Sequence, residues 1–394
     1  MNPVVSANPQ ETASVTPRTR VWRQTALFFS IVLGYAGMQV YAVLAAYRAL
    51  GLPLLSLPPL LAWVGLMTFF PFLLWRLERT GWHRLATAGA WLGYGWMGVV
   101  FLFFWIALAL DGFSLLANSA GIGAMSSAGS FVLALTVTLA VSAYGVFAAT
   151  RPRVERVTLA SPKLSAGSAP LRIAFVSDLH LGALVGMRAL RRVLTRLEKL
   201  DADVIASGGD LVDGQADRLS RLVPLLAEMR PRLGKFAVIG NHECYVGLGH
   251  ALDFHQRAGF TVLRGTAMDV TSEVSIAGVD DPAAGSFQHA AYLDERAALA
   301  AIAPQRFSIL LKHQPVVAGD GEPRADLQLS GHVHQGQIFP FNFLVKMVYA
   351  RPTGLSALSD GTQLYVSRGT GTWGPPMRVL APPEITLIEI VPAR

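Results

Sequence analysis

The chain has 394 residues, 52% of them hydrophobic, and its mean hydropathy of +0.41 excludes an ordinary soluble protein. The formal net charge is +7, but no basic stretch carries interleaved aromatic residues. The charge therefore indicates a membrane surface, and not nucleic acid, as its partner. The single cysteine, Cys244, excludes an intrachain disulfide and is compatible with a reducing compartment.

Four long stretches without Asp, Glu, Lys or Arg come first, at residues 25–47, 53–75, 89–110 and 128–149. Each is long enough to cross the roughly 30 Å of membrane hydrocarbon as a helix. Buried core helices are the alternative, but they rarely continue for about 20 residues without a polar stripe. A secretory signal is the alternative for the first stretch, which is longer than a usual signal core. We predict a tail at residues 1–24 and four transmembrane helices within residues 25–150.

Arginine is concentrated on alternate loops of this region. Three clusters precede the first stretch, separate the second from the third, and follow the fourth: Arg18, Arg20 and Arg23; Arg76, Arg79 and Arg84; Arg151, Arg153 and Arg156. The positive-inside rule then places both termini, and everything after residue 150, on the cytoplasmic side of the cell inner membrane. The four stretches lack charged residues, which argues against an ion or proton pump.

The segment "SPKLSAGSAP" separates two regions with different hydrophobic patterns, and we interpret residues 151–170 as a linker. After it, short β-branched runs such as "LRIAFVSD" and "DVIASGGD" alternate with amphipathic helical patterns such as "MRALRRVLTRLEKL". This alternation predicts a layered α/β domain over residues 171–394.

Polar residues end the predicted strands: Asp178 and His180, Asp210, Asn241 and His242, His313, and His332 and His334. The carboxyl ends of strands in a layered sheet meet at one edge, where such folds build sites. In extended backbone the Asp178–His180 and His332–His334 pairs would each project to one side, about 6.6 Å apart. Each motif alone could equally be a turn at a strand end. Together they predict two divalent ions, and the carboxylate, amide and imidazole ligands suit Mn, Fe or Zn.

The ordered motifs "DLH", "GGDLVDG", "GNHE", "KHQP" and "GHVH" resemble those of the calcineurin-like metallophosphoesterases. The resemblance covers residues 171–394 and is strongest to the membrane-associated bacterial group, which also carries a segment similar to "YVSRGTGTWGPPMR". Relatives in that group include UDP-diacylglucosamine hydrolases. The resemblance implies a two-sheet sandwich flanked by helices, and a metal-dependent phosphoric ester hydrolase.

The resemblance also implies roles for individual residues. One ion would be held by Asp178, His180 and His334, the other by Asn241, His313 and His332, with Asp210 bridging both. His242 would stabilise the transition state and protonate the leaving oxygen, and Asp213 would orient it, although Asp213 could instead cap a loop. Arg368 is a candidate substrate contact, with a structural pair to a carboxylate as the alternative. Cys244 is expected to be inert.

Three positions depart from the family pattern. Val333 replaces the usual Thr between the two histidines and is expected to point away from the ions. Gln335 replaces a Gly, and its side chain beside His334 could narrow the substrate mouth or add an amide donor. Glu243 stands where the family often has Asp, which puts substrate fit in doubt.

We expect a membrane-bound phosphoesterase that acts on a lipid or lipid-linked nucleotide, with membrane lipids as its surroundings. The segment "FPFNFLVKMVYARP", residues 339–352, suits an interfacial loop or a half-buried strand pair. The alternatives are a phosphodiesterase of soluble substrates, a non-catalytic scaffold or sensor that kept the fold, and a lipid transporter with an accessory phosphatase.

Overall fold

The computed structural model of the protein describes residues 17–287, 294–318, 324–359 and 361–393. Most of the predicted tail at residues 1–24 lies outside them, and the first helix begins at Pro17, inside that prediction. The four long helices are α1 (Pro17–Leu50), α2 (Leu57–Arg79), α3 (His83–Ser119) and α4 (Ser127–Ala149). They contain four candidate membrane spans by length and hydropathy, which confirms the predicted four.

Helix α3 has 37 residues, so it is much longer than the predicted stretch 89–110 and than a bilayer requires. Its first turns contact the remainder of the chain. The Arg218 guanidinium donates to the His83 carbonyl at 3.0 Å and to the Thr87 hydroxyl at 2.8 Å. Polar groups at the start of α3 are thus used to hold the helix against the α/β domain.

In the described ranges, twelve strands form two six-stranded mixed sheets. The first has the order β1-β12-β2-β3-β4-β5 and the second β10-β11-β9-β8-β7-β6. The strands are β1 Arg153–Ser161, β2 Leu171–Val176, β3 Val204–Ser207, β4 Lys235–Ala237, β5 Thr261–Val262, β6 Thr266–Asp269, β7 Val274–Gly278, β8 Phe307–Leu311, β9 Leu327–Ser330, β10 Gly354–Ala357, β11 Gln363–Val366 and β12 Glu384–Pro392. Strands β2 to β5 are mutually parallel, as are β7, β8, β9 and β11, so each sheet directs several strand ends toward the same edge.

Seven shorter helices cover the sheets: α5 Met187–Leu200, α6 Ala216–Ser220, α7 Val223–Glu228, α8 Asn241–Val246, α9 Leu248–Arg257, α10 Glu295–Ala300 and α11 Asn342–Val348. Helix α5 shows why they pack, because its apolar residues recur every three or four positions and are all buried: Leu190, Val193, Leu194, Leu197 and Leu200. A separate core that includes Phe175, Phe236 and Ile309 fills the space between the sheets. The predicted α/β sandwich after four apolar helices is confirmed.

The predicted linker at residues 151–170 needs correction. Its first part is β1, which pairs in parallel with β12 over nine residues and forms the edge of the first sheet. In the sequence "RVERVTLAS" only Leu159 and Ser161 are fully buried. The exposed arginines therefore give no sign of a strand, because this edge strand pairs through its backbone. Chain continuity from α4 into β1 ties the membrane helices directly to the sheet.

A buried histidine makes the α/β domain sensitive to acid. His255 of α9 is fully buried, its Nδ1 lies 2.7 Å from the Ala251 carbonyl, and its Nε2 has no hydrogen-bond partner in the described structure. Burial lowers the pKa of His255 to about 4. In the unfolded chain His255 has an ordinary pKa of about 6.5. Between that pH and pH 4 the unfolded chain therefore binds a proton at His255 that the folded chain does not bind. The associated stability is complete above pH 6.5 and is lost as the pH falls toward 4.

We predict that His255→Leu removes this acid sensitivity. Between pH 7 and pH 4, the free energy of unfolding should fall by about 3 kcal/mol more in the wild-type chain than in the variant. Urea unfolding of the full chain in detergent, followed by near-UV circular dichroism, measures the difference. His250→Leu, an exposed position on the same helix, is the matched control and should behave as wild type. Identical pH dependence in His255→Leu and the wild type would show the explanation to be wrong.

Candidate metal centre

The predicted site residues follow the ends of buried strands. Strand β2 ends at Val176, two residues before Asp178, and β9 ends at Ser330, two residues before His332. Asp210 follows β3, Asn241 begins α8 after β4, and His313 follows β8. The strands come from both sheets, and the sandwich brings their ends together. The structure thus gathers all seven predicted ligands, whose roles as ligands remain predictions.

One group consists of Asp178, His180 and His334, whose ligand atoms all lie within 4.8 Å of one another. The Nε2 atoms of His180 and His334 are 3.1 Å apart, and Nε2 of His334 is 3.5 Å from Oδ1 of Asp178. All three side chains are buried. This is the set that the sequence assigns to the first ion.

The second group consists of Asp210, His313 and His332, with Asn241 beside them. The Asn241 Oδ1 lies 3.2 Å from Nε2 of His313 and 3.1 Å from Nδ1 of His332. Those two ring nitrogens are 3.2 Å apart. The residues are those assigned to the second ion.

Asp210 lies between the two groups. Its Oδ2 is 3.2 Å from Nε2 of His313 in the second group and 3.9 Å from Nε2 of His180 in the first. A third cluster joins His180, Asp210 and His242. The position suits the predicted bridging carboxylate.

The donor set fits divalent cations. Ring nitrogens and carboxylate oxygens from different elements converge at hydrogen-bond distance in a buried place, and a metal ion would satisfy all of their lone pairs at once. Although burial opposes it, the neighbouring histidines hold the pKa of Asp210 well below its usual range. Burial is likewise outweighed at His313, whose pKa the Asp210 charge raises well above the usual value. The electrostatics of the site therefore favour a positive charge beside Asp210.

The backbone at these ligands is left-handed, which corrects the extended geometry expected from the sequence. Five of the seven residues have positive φ: Asp178 (54°), His180 (51°), Asp210 (52°), His332 (70°) and His334 (49°). This conformation costs a non-glycine residue of order 1 kcal/mol or more and persists where surrounding contacts impose it. The strands end before the ligands, and tight turns then aim each side chain inward.

Close approach of two loops imposes one of these turns. A Cβ on Gly331 would lie 1.9 Å from the Ser177 hydroxyl and 2.3 Å from an Asp178 carboxylate oxygen. The backbone N–H of His332 donates to the same carboxylate at 2.9 Å. Glycine before His332 therefore lets the β9 loop lie directly on the β2 loop.

Glu243 has a structural role that the sequence did not reveal. It is fully buried, and its carboxylate accepts backbone N–H bonds from Gly240 and Asp210 at 2.9 Å, Leu211 at 2.7 Å and Val212 at 3.2 Å. The expectation that this position bears on substrate fit is wrong, because no part of the carboxylate is left to face a substrate. Glu243 instead joins the Asp210 loop to the Asn241 loop.

His242 and Asp213 form the predicted pair. Nδ1 of His242 is 2.9 Å from Oδ1 of Asp213, and Oδ2 of Asp213 is 3.7 Å from Nδ1 of His180. Burial lowers the pKa of His242, but the charge and hydrogen bond of Asp213 outweigh it and raise the pKa to about 9. Asp213 therefore favours the protonated form of the His242 ring, with the Nδ1 proton held by its carboxylate.

Arg368 is occupied by carboxylates. Its Nε lies 2.6 Å from Glu384, which is buried, and its Nη2 pairs with Glu155 of β1. The structure thus favours the alternative of a structural pair over the predicted substrate contact. Burial raises the pKa of the Cys244 thiol to about 12, in agreement with an inert residue.

The two departures beside the histidines behave differently. Val333 packs with Leu364 and Val366 in an apolar cluster and so does point away from the site. Gln335 has φ 51° and ψ 26°, a conformation that suits the glycine usually found there, and its buried Oε1 has no hydrogen-bond partner in the described structure. Its predicted role at the substrate mouth stays a prediction.

Sequence reasoning missed Arg378 and Trp373. Arg378 is fully buried and its Nη2 lies 2.9 Å from Nδ1 of His334. Trp373 is 56% exposed, and its ring is 5.7 Å from the His242 ring. Both lie in the segment "TGTWGPPMR", whose aromatic and basic residues between glycines and prolines could have signalled a site loop.

The sandwich and its two adjoining ligand groups define the class of metal-dependent hydrolases. Residues 171–336 match the family described as calcineurin-like phosphoesterase. The chain is 39% identical over 239 residues to an uncharacterized metallophosphoesterase of Aquifex aeolicus, which covers 60% of this chain and 91% of that protein. The chain therefore belongs to the calcineurin-like metallophosphoesterase family, a group of metal-dependent phosphoesterases.

Two further relatives bear on the membrane half. A transmembrane protein with metallophosphoesterase domain from Danio rerio is 35% identical over 67% of this chain, which spans 64% of that longer protein. The protein of that name from Bos taurus is 34% identical over 64% of this chain and 61% of its own length. The chain thus spans less than two thirds of these relatives. With the four apolar helices, they indicate that the protein is associated with a membrane.

We predict that the two ions can be lost separately. His332→Ala should keep about one manganese per chain where the wild type keeps about two, because the ring that the variant removes lies against Asn241 and His313 of the second group. Mass spectrometry of metal content after dialysis measures the ratio, with the exposed His250→Ala as control. Two ions retained in His332→Ala would contradict the division of ligands.

We predict that His242 and Asp213 matter most for poor leaving groups. A general acid contributes about 10²- to 10⁴-fold when the leaving oxygen needs a proton. His242→Ala should therefore slow hydrolysis of an alkyl phosphoester far more than that of a p-nitrophenyl ester, whose leaving group needs none, and Asp213→Asn should show the same pattern more weakly. Equal losses on both esters would assign these residues to metal binding or folding instead.

Proposed function

We propose that the protein is a membrane-bound phosphoesterase that uses metal-activated water to hydrolyse a phosphoester or pyrophosphate bond of a lipid or lipid-linked nucleotide. The observation that carries the proposal is the position of the candidate metal centre, which adjoins both an exposed apolar helix and the membrane helices. The seven candidate ligands, all present and gathered, favour an enzyme over a non-catalytic scaffold or sensor.

The chain's own residues divide the chemistry between them. Two divalent ions, Mn, Fe or Zn, would lower the pKa of a water molecule and polarise the phosphoryl oxygens. His242 would donate a proton from Nε2 to the leaving oxygen, and Asp213 would keep the ring in the required orientation through Nδ1. A protein nucleophile is not needed, which agrees with the buried thiol of Cys244.

Helix α11 supports a lipid substrate. Within the predicted interfacial segment it is a helix and not a strand pair, and its apolar side chains face outward: Phe343 is 57% exposed, Leu344 54%, Met347 82% and Val348 74%. Apolar patches of this kind beside cationic residues, here Lys346, are typical of membrane-interface helices.

Two ring contacts support a position of α11 between the candidate membrane helix α3 and the candidate metal centre. Phe341, just before α11, lies 6.4 Å from Phe101 of the membrane helix α3. Tyr349, just after α11, lies 6.0 Å from His332 of the second ligand group. A lipid headgroup at this interface would have a short path to the ions.

The arginine distribution supports a cytoplasmic site. Under the positive-inside rule, the clusters before α1, between α2 and α3, and after α4 would lie in the cytoplasm of a cell whose inner membrane holds the protein. Both termini and the α/β domain would then face the cytoplasm. Accessibility of single cysteines introduced into the loops would test this topology.

Purified full-length protein tests the substrate. After loading with Mn²⁺ in lipid nanodiscs, it should hydrolyse phosphatidic acid or UDP-diacylglucosamine faster than bis-p-nitrophenyl phosphate, and Asp210→Ala should be inactive. Turnover of the soluble ester alone would leave a phosphodiesterase of soluble substrates. An inactive, metal-loaded wild type would leave the scaffold or sensor.

We predict that charge on α11 separates lipid from soluble turnover. The double variant Met347→Asp/Val348→Asp should lose at least about 10-fold in activity on a vesicle lipid, because burial of one such side chain is worth about 1.5–3 kcal/mol. Its activity on bis-p-nitrophenyl phosphate should be unchanged. Met268→Asp, 46% exposed on β6, is the control that should retain both activities. Parallel loss of both activities would contradict a membrane role for α11.

A further inference from the structure

We infer that the membrane helices α3 and α4 position the metal ligand His334, and that buried Arg378 is the positioning residue that connects them. The inference rests on the proposed function, since it takes His334 as a ligand. It concerns the bridging segment, residues 371–381, which contacts the membrane helices on one side and the His334 loop on the other.

On the site side, Arg378 holds the His334 loop from beneath. Its guanidinium donates to the carbonyls of His334 at 3.0 Å, Arg368 at 2.7 Å and Gly371 at 2.6 Å. Its Nη2 also lies 2.9 Å from Nδ1 of His334, the nitrogen opposite the one that faces the other ligands. The planar guanidinium, with its fixed donor directions, thus fixes the backbone that carries His334. A guanidinium has no acceptor for a ring N–H, so it positions the His334 ring through that backbone.

The hydrogen-bond partners that the described structure gives Arg378 are uncharged. Burying a cation without a carboxylate in direct contact is expensive, and an apolar residue of similar volume would usually cost less. A residue that only filled space here would therefore not need to be arginine. What the guanidinium adds is a set of directed bonds that join the His334 loop to the carbonyls of Arg368 and Gly371.

On the membrane side, the same residue binds α4. The backbone N–H of Arg378 donates to the Gly145 carbonyl at 2.9 Å. A Cβ on Gly145 would lie 3.1 Å from Cβ of Met377 and 3.0 Å from Cγ2 of Val379. The bridging segment therefore lies directly on the helix backbone, and only glycine leaves room for it without a shift.

Helix α3 completes the contact. Met377 and Val379 pack with Leu102 of α3 and with Ile338, which follows the His334 loop. A Cβ on Gly98 would lie 2.6 Å from Cε of Met377. Within the bridging segment, Met377 and Val379 thus face the membrane helices. The guanidinium of Arg378, the residue between them, faces the His334 loop.

The consequence is that the membrane helices do more than anchor the enzyme. A shift of α4 at Gly145 would move the backbone of Arg378, and its side chain would move the backbone from which the His334 ring projects. Geometry at His334 should therefore depend on packing at a position inside a membrane helix. Asn241 and His313 of the second group lie on other loops and should not respond.

The test is metal content in the full chain in detergent, measured in a graded series at position 145. Gly145→Ala should need a shift of only a few tenths of an ångström and keep about two manganese ions, whereas Gly145→Val and Arg378→Gln should weaken one ion by about 10- to 100-fold and keep the other. Gly112→Val, on α3 with nothing near its Cβ, is the matched control and should bind as wild type. Co²⁺ absorption spectra report which site has changed.

Each outcome decides the inference. Selective loss of one ion with an unchanged melting temperature supports it. Two ions held with wild-type affinity in Gly145→Val and Arg378→Gln, or both ions lost together with a lowered melting temperature, overturns it. The measurement needs no substrate, so an inactive but metal-binding wild type would refute the proposed function while leaving this test intact.

Discussion

The carboxylate of Glu243 is the interaction on which the site depends. Four backbone N–H groups from two loops converge on it, those of Gly240, Asp210, Leu211 and Val212. A hydrogen bond contributes about 0.5–1.5 kcal/mol, and the four together are enough to hold strained turns in place. Asp210 and Asn241, both candidate ligands, follow the neighbouring strands β3 and β4, and Glu243 fixes one loop against the other. The ligand groups can then form only in this register.

Much of this arrangement was predictable because it follows from local pattern. The alternation of apolar strands with amphipathic helices such as α5 predicts which faces of these elements are buried. The polar residues at the strand ends then identified the edge of the sheets where the site lies. The left-handed turns at Asp178 and His334 were not predictable, since they arise from contacts between segments about 150 residues apart. Spacing alone suggested an extended pair, and the backbone is tightly turned.

The contacts between the two halves of the chain show a second limit of sequence reasoning. The sequence of the 37-residue helix α3 shows an apolar stretch preceded by a mixture of polar and apolar residues. In the structure its first turns contact Arg218, and its middle contacts the bridging segment. Strand β1 was hidden by exposed arginines in the same way. In both cases the composition indicated one environment, membrane for α3 and solvent for β1. Part of each element nevertheless packs against the α/β domain.

Arg378 combines both limits. It lies in a segment whose glycines and prolines predict a loop, and nothing local shows that its guanidinium is fully buried. A buried cation among carbonyls is stable only if the surrounding backbone is already ordered, and that order comes from α3, α4 and the His334 loop together. The candidate metal centre is therefore a property of the whole chain: ligands from two sheets, a carboxylate that joins their loops, and a membrane bundle against which the last loop is packed.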